Sequence, residues 1–186
     1  MHYSLSDMIL DLFQNSIEAG AQRIHLDIVR EAEELKVCLK DDGCGMTEGE
    51  LEKSKDPFHS DGIKHKHRKV GLGIPFLIQT VEQAEGSFEI QSEKGKGTLF
   101  SIRFNLGNID TPPEGDWAGL FFQALCFDGE YELIINRKII GEEGKVGEYL
   151  LQRSELQDIL GNFNESGAMI LLRDYLKSQE EELLDQ

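Results

Sequence analysis

Asp11, Asn15 and Glu18 follow one another at intervals of four and three, a spacing that sets a carboxylate, an amide and a second carboxylate in one row along a helix. Three glycine-rich stretches accompany this row: Asp41-Asp42-Gly43-Cys44-Gly45, Gly71-Leu72-Gly73, and Gly95-Lys96-Gly97-Thr98. A glycine turn that opens a helix is a place where backbone N–H groups can meet an anion. Lys64, Lys66, Arg68 and Lys69 gather positive charge just ahead of the second stretch. Taken singly, each feature has a plain structural reading. The row is a solvated helix face, the first glycine stretch a hairpin exit, the second a loose connection, the third a hairpin turn, and the basic run an exposed loop. What they do together depends on the elements that carry them.

Those elements are legible from periodicity. Leu5, Met8, Ile9, Leu12, Phe13 and Ile17 recur at three and four, which predicts a helix with Ser4 or Ser6 as N-cap and Gly20 past its end. The period then switches to two: Ile24, Leu26 and Ile28, an acidic turn, then Leu35, Val37 and Leu39 predict a β-hairpin running into the Asp41 loop. Thr47 and Glu50 form a capping-box pattern for a short polar helix that fades near Asp56-Pro57. Residues 58–70 have no period and read as a mobile loop. Ile74 to Val81, with Pro75 in the first turn, reads as a helix, and Ser87 to Ser92 with Thr98 to Phe104 as a second hairpin. Neighbouring strands on short turns with helices between them predict an α+β fold, a two-layer sandwich with a mixed or antiparallel sheet and helices on one face.

Gly107 to Gly115, containing Pro112-Pro113, reads as a linker, dividing the chain into a first domain over 1–108 and an acidic extension of small α/β type over 116–186. In the extension, Leu120 to Phe127, Tyr131 to Ile135 and Ala168 to Leu172 read as strands and Ser154 to Leu160 as a short helix. The end, from Ser178, reads as a frayed helical tail.

The 186 residues hold 35 Asp and Glu against 19 Lys and Arg, a net charge of -16. Residues 1–106 carry 18 acids and 13 bases, residues 107–186 carry 17 and 6, so net charges are -5 and -11. Counterion release from phosphates requires basic surface, so nucleic acid and anionic membranes are excluded as main partners. Cys38, Cys44 and Cys126 form no CxxC or Cys/His cluster, which argues against a structural zinc or disulfide framework and for a reducing compartment. With neither a leader pattern nor 18 apolar residues in a row, the expectation is a soluble cytoplasmic protein.

In collinear order the motifs are D-x-x-x-N on the first helix, DxGxG after a strand, GxG opening a later helix and GxGT in the last hairpin. Over residues 4–105 this order resembles the ATP-binding domain shared by DNA gyrase, Hsp90, histidine kinases and the MutL mismatch-repair proteins, the GHKL superfamily with its Bergerat fold. DPFHS, KVGLGIPFL and GSFEIQSEKGKGTLFSIRF look most like the histidine kinase branch; ILDLFQNSIEAGA looks more like the MutL and gyrase side. The resemblance implies ATP and magnesium as ligands. It makes Asn15 the magnesium ligand and Asp41 the acceptor of the adenine amine. Gly43, Gly45 and Met46 would lie beneath the base, Gly71, Leu72 and Gly73 at the phosphates, and Thr98 near the adenine. Lys69, with Lys64, Lys66 and Arg68, falls where that family has its ATP lid.

Two departures shape the expected activity. Where the gyrase, Hsp90 and MutL branch has a water-activating Glu, this chain has Asp11, shorter by one methylene, so the catalytic assignment goes to Asp11 with slow hydrolysis or none. Where histidine kinases carry a basic residue soon after the Asn, this chain has Glu18. The chain before Asp11 is too short for a dimerisation hairpin with a phosphoacceptor histidine, and His2, His25, His59, His65 and His67 read as structural or solvent-facing. In the extension, Glu130 to Gly141 faintly resembles the strand after the MutL ATP domain, with Lys138 or Lys145 the candidate for a γ-phosphate lysine, but a plain adaptor domain is the favoured expectation. The expected function is an ATP-dependent conformational switch or regulator acting on a protein partner of basic or mixed charge, with room for a homodimer. The alternatives are a serine protein kinase of the anti-sigma-factor type and a nucleotide-binding module without turnover.

Overall fold

The computed structural model describes residues 4–56, 73–141 and 144–185. Helix α1 (Leu5–Glu18) begins at Ser4, whose hydroxyl accepts from the Asp7 N–H, and buries Leu5, Met8, Ile9, Leu12, Phe13 and Ser16. Ser4, rather than Ser6, is therefore the cap. Strands β1 (Arg23–Glu31) and β2 (Glu34–Asp41) form the first hairpin. Helix α2 (Glu48–Lys55) carries the full capping box. The Thr47 backbone N–H and hydroxyl, with Lys94 beyond them, hold the Glu50 carboxyl at about 2 instead of the ordinary 4.5. Helix α3 (Gly73–Gln83) leads into the hairpin β3 (Ser87–Glu93) and β4 (Gly97–Asn105).

The C-terminus of α3 shows why one local change would stabilise the fold. The Glu85 N–H reaches the Glu82 carbonyl and the Gly86 N–H reaches the Val81 carbonyl, the paired bonds of a Schellman ending. The residue that must take the left-handed conformation is Glu85, at φ 53°, and a Cβ there costs about 1–2 kcal/mol. Glu85→Gly is expected to recover about 1 kcal/mol, visible as a higher thermal midpoint; an unchanged or lower midpoint would refute this account.

Residues 107–115 cross the N-terminus of α1, where Leu5 and Ser6 N–H groups donate to the Pro113 and Glu114 carbonyls, both at 2.9 Å. These bonds satisfy donors that the first helical turn leaves open. Beyond them the structure corrects the sequence reading. Leu120 to Cys126 belongs to helix α4 (Trp117–Cys126), with Phe127 as its C-cap, started by Asp116, whose carboxylate accepts from the Gly119 N–H. Strand β5 (Glu132–Ile140) runs further than Ile135 and is followed by an unanticipated strand β6 (Val146–Gln152) and by helix α5 (Arg153–Leu160). Ala168 to Leu172 and the tail from Ser178 belong to one helix, α6 (Ser166–Leu184), whose buried row is Ala168, Leu172, Leu176, Glu180 and Leu183. Spacings of four and three along that row are a helical stripe.

All six strands form one sheet in the order β3-β4-β2-β1-β5-β6. Every pair is antiparallel except β1 with β5, so the sheet is mixed and crosses the 107–115 segment. Inward side chains stack in register: Leu26 is beside Leu39 and Ile135, and Leu39 is beside Phe100. These residues, with the apolar stripes of α1, α3, α4 and α6, make a single core, and each fully buried Leu or Phe side chain contributes about 1.5–3 kcal/mol.

Among the described residues, a buried ion pair adjoins that core. Arg137 of β5 is 1% exposed, its Nε 3.3 Å from Glu180 Oε1 of α6. Its guanidinium lies 5.4 Å from the centre of the Trp117 ring. The Tyr149 hydroxyl of β6 also donates to Glu180, and burial, then the Glu180 charge, push the phenol pKa up. Arg137 Nη1 has no partner among the described residues. Among those residues no helix is long and apolar enough to cross a membrane.

Candidate functional site

Strand parity aims Asp41, the last residue of β2, toward the helix layer, like Leu35, Val37 and Leu39 before it. At 5% exposure its carboxylate needs polar partners. Oδ1 accepts from the Gly43 N–H at 2.9 Å and Oδ2 from the Ser16 hydroxyl of α1 at 2.8 Å. A carboxylate has about four acceptor positions, so each oxygen keeps capacity for an incoming N–H. Asp42 takes a structural role, accepting from the Gln22 and Arg23 N–H groups.

Across β4, Thr98 pairs in register with Asp41 and is buried. Its hydroxyl is 2.9 Å from that of Ser92, which accepts from the Met46 N–H at 2.9 Å and donates to the Gly97 carbonyl at 3.0 Å. The Asp41–Met46 turn is thus tied to the β3–β4 hairpin, and Gly95 N–H to Cys44 carbonyl adds a 2.8 Å bond. Two glycines are obligatory in this contact. Gly45 has φ +57° and a Cβ there would fall 2.0 Å from the Glu93 carbonyl oxygen; Gly97 has φ +97° and its Cβ would fall 2.0 Å from the Asp41 carbonyl oxygen. Gly43 packs against Ala19 at the end of α1. These glycines let the Asp41 turn and the β3–β4 hairpin meet backbone to backbone.

Asp11 and Asn15 sit half-buried one turn apart on α1, and Glu18 is exposed. A Cβ on Gly73 would lie 3.5 Å from Asp11 Oδ2, so the Asp11 carboxylate flanks the first residue of α3. Asn15 immediately precedes Ser16, and no other described residue hydrogen-bonds its side chain. The structure therefore brings Asp11, Asn15, Asp41, Gly43, Gly45, Met46, Gly73 and Thr98 to one end of the sandwich. Lys64, Lys66, Arg68, Lys69, Gly71 and Leu72 lie outside the described residues, as do His2, His59, His65 and His67. Lys138 is held by Glu148 at 3.2 Å on the sheet face opposite the helices, and Lys145 precedes the edge strand β6, so neither joins the cluster. His25 lies exposed on β1.

Ser16 and Ser92 are the site residues that sequence reasoning missed. Ser16 was signalled only by adjacency to Asn15, and Ser92 by its hairpin register with Thr98. Two surface hollows lie elsewhere, one at the β1–β2 turn with Glu85 and Arg103, the other around Asp128 and Asn162. Neither contains a motif residue. Among the described residues no three His, Cys, Asp or Glu side chains converge as a metal cluster.

A two-layer sandwich that carries a buried aspartate at a strand end, a glycine turn beside it and an Asp–Asn row on the facing helix defines a histidine kinase-like ATPase domain. Residues 3–108 match the family described as "Histidine kinase-, DNA gyrase B-, and HSP90-like ATPase", and the chain belongs to that family. Sporulation kinase E of Bacillus subtilis (strain 168) is 31% identical over 101 residues, which are 53% of this chain and 13% of the kinase. Sporulation kinase C of the same organism is 28% identical over 100 residues, 53% of this chain and 22% of the kinase. The chain thus spans less than a quarter of the length of either kinase. A solved structure titled "Crystal Structure of N terminal domain of a DNA repair protein" superposes with a TM-score of 0.55 at 13% identity. It covers 89% of this chain and 58% of its own, a likeness of fold.

Proposed function

We propose that this chain binds ATP with magnesium and works in the cytoplasm as an ATP-dependent switch or regulator acting on a protein partner. The observation that carries the reading is Asp41: a buried carboxylate, oriented by Ser16 and Gly43, that keeps acceptor capacity beside the glycine turn. An exocyclic amine of a purine satisfies it without adding charge. Asn15 would offer its side-chain oxygen to magnesium; a lone protein ligand suits an ion that keeps mainly water and phosphate oxygens. Met46 and Thr98 would flank the base. Gly73, at the N-terminus of α3, would meet phosphate oxygens with its N–H. Magnesium, when bound, supplies charge neutralisation at the triphosphate.

Asp11, beside Gly73, would be the residue that accepts a proton from an attacking water. Its short stem gives weak hydrolysis, which suits a switch held in one state long enough for a partner to read. The test is equilibrium binding of ATP with magnesium, followed by phosphate release. Wild-type chain should bind, Asn15→Ala should lose affinity only when magnesium is present, and Asp11→Asn should bind normally while release falls about a hundredfold. No binding by the wild type overturns the reading. Transfer of the phosphate to a protein serine in place of water would assign it to the kinase class.

A further inference from the structure

The two edges of the sheet differ in kind. On β3 the exposed side chains are Ser87, Glu89, Gln91 and Glu93, polar or charged as befits an edge that must not pair. On β6 they are Val146, Glu148 and Leu150, Leu150 being 61% exposed. The single charge among them is already matched by Lys138 at 3.2 Å. No proline or bulge interrupts β6, and among the described residues its outer side has no neighbouring strand. Beside this edge, on the helix side, Tyr175 of α6 is near enough to Tyr149 of β6 to bear on its phenol electrostatically. Leu171, one turn before Tyr175 and 55% exposed, continues the same face. One side of the open strand therefore carries Val146 and Leu150 and the other Tyr149, with Tyr175 and Leu171 exposed on the neighbouring helix.

The exposed charge on α6 is negative on balance, Asp174, Glu181, Glu182 and Asp185 against Arg173 and Lys177, and Arg173 is taken up over the Phe122 ring at 4.6 Å. None of those acids has an ion pair among the described residues. Glu182 falls in line with Leu171, Tyr175 and Ser178 at helical spacings of four, three and four. A second copy of the chain would bring a like-charged segment of net -11 against its twin, which costs rather than stabilises. An extended basic segment meets both requirements, main-chain bonds to the edge and positive charge to the helix.

We propose that β6 and the Leu171–Tyr175–Glu182 face of α6 form a docking surface for an extended, lysine- or arginine-flanked segment of a protein partner, which adds to the sheet as a seventh strand. Alternate side chains of that strand lie against Val146 and Leu150 on one face and Tyr149 and Tyr175 on the other. Its basic flanks lie along Asp174, Glu181 and Glu182. The surface is built from residues outside the 3–108 family match, so it stands or falls independently of nucleotide binding.

The test uses the full chain and a labelled peptide of alternating valine and threonine with two lysines at each end. A matched peptide ends in glutamates, and a third has proline at alternate positions. Fluorescence anisotropy and amide exchange are read without nucleotide. The basic peptide should bind and slow exchange of the 146–152 amides, while the glutamate and proline peptides bind at least about tenfold more weakly. Leu150→Lys and the double change Glu181→Lys with Glu182→Lys should each weaken binding about tenfold with unfolding midpoints unchanged. Equal binding of the acidic and basic peptides overturns the proposal, as does absence of protection in β6. Amides of β6 already protected in a concentration-dependent dimer would assign the edge to a second copy and overturn it too.

Discussion

Asp41→Ala is expected to lower ATP affinity at least about a hundredfold. A buried charged acceptor that meets an amine contributes roughly 1.5–3 kcal/mol, and the base loses its buried partner. The same change strands the Gly43 N–H and the Ser16 hydroxyl, which now share that carboxylate, so stability should fall by about 1–3 kcal/mol as well. Asp41→Asn separates the two effects. It preserves the shape of the turn and an oxygen acceptor while presenting an amide donor on the other branch. Calorimetric titration should then show most of the affinity lost with a smaller change in unfolding midpoint. ATP binding by Asp41→Ala at wild-type strength would remove Asp41 from the adenine site and leave it a turn-capping residue.

Glu180→Ala is expected to cost about 3–5 kcal/mol of folding stability, the penalty for leaving a buried guanidinium without its counter-charge. Arg137 has little latitude to recover: it is 1% exposed, and Nη1 has no described partner even with Glu180 in place. Tyr149→Phe removes a neutral donor to the same carboxylate and should cost only about 1 kcal/mol. Replacing the pair together, Arg137→Met with Glu180→Leu, should recover most of the loss, because like-sized apolar groups need no compensation. Urea denaturation of the four proteins checks this order. A loss below about 1 kcal/mol for Glu180→Ala would show that the guanidinium reaches water after all.

The first four strands and α1 were legible because each shows one clear period, three-to-four in Leu5–Ile17 and two in Ile24–Leu39. The Asp41 turn and the Gly97–Thr98 hairpin could be located for the same reason: glycine is the residue that a left-handed turn in backbone contact requires. The C-terminal segment was harder. Leu120 to Phe127 and Ala168 to Leu172 are short apolar runs whose period is hidden, since α4 lies beneath α1 and α6 and is apolar on most sides. Asp116 was the overlooked signal, an N-cap just before the run. Strand β6 was obscured because its outward residues are as apolar as its inward ones, erasing the alternation by which a half-buried strand announces itself. Ser16 and Ser92 act through tertiary pairing, which no local pattern encodes.

The parallel seam between β1 and β5 ties the chain's manufacture to its shape. Arg23 pairs with Glu132, made roughly 110 residues later, so during translation β1 waits with one side open. At 5–20 residues per second the wait is about 5–20 s, long compared with hairpin closure in microseconds. The β1–β2 hairpin can therefore form early on the ribosome, whereas the sheet cannot close until the later segment has emerged. Until then the exposed flank of β1 is a strand edge of the kind that captures other nascent chains. The later segment thus acts, in time, as the final shutter on the earlier one.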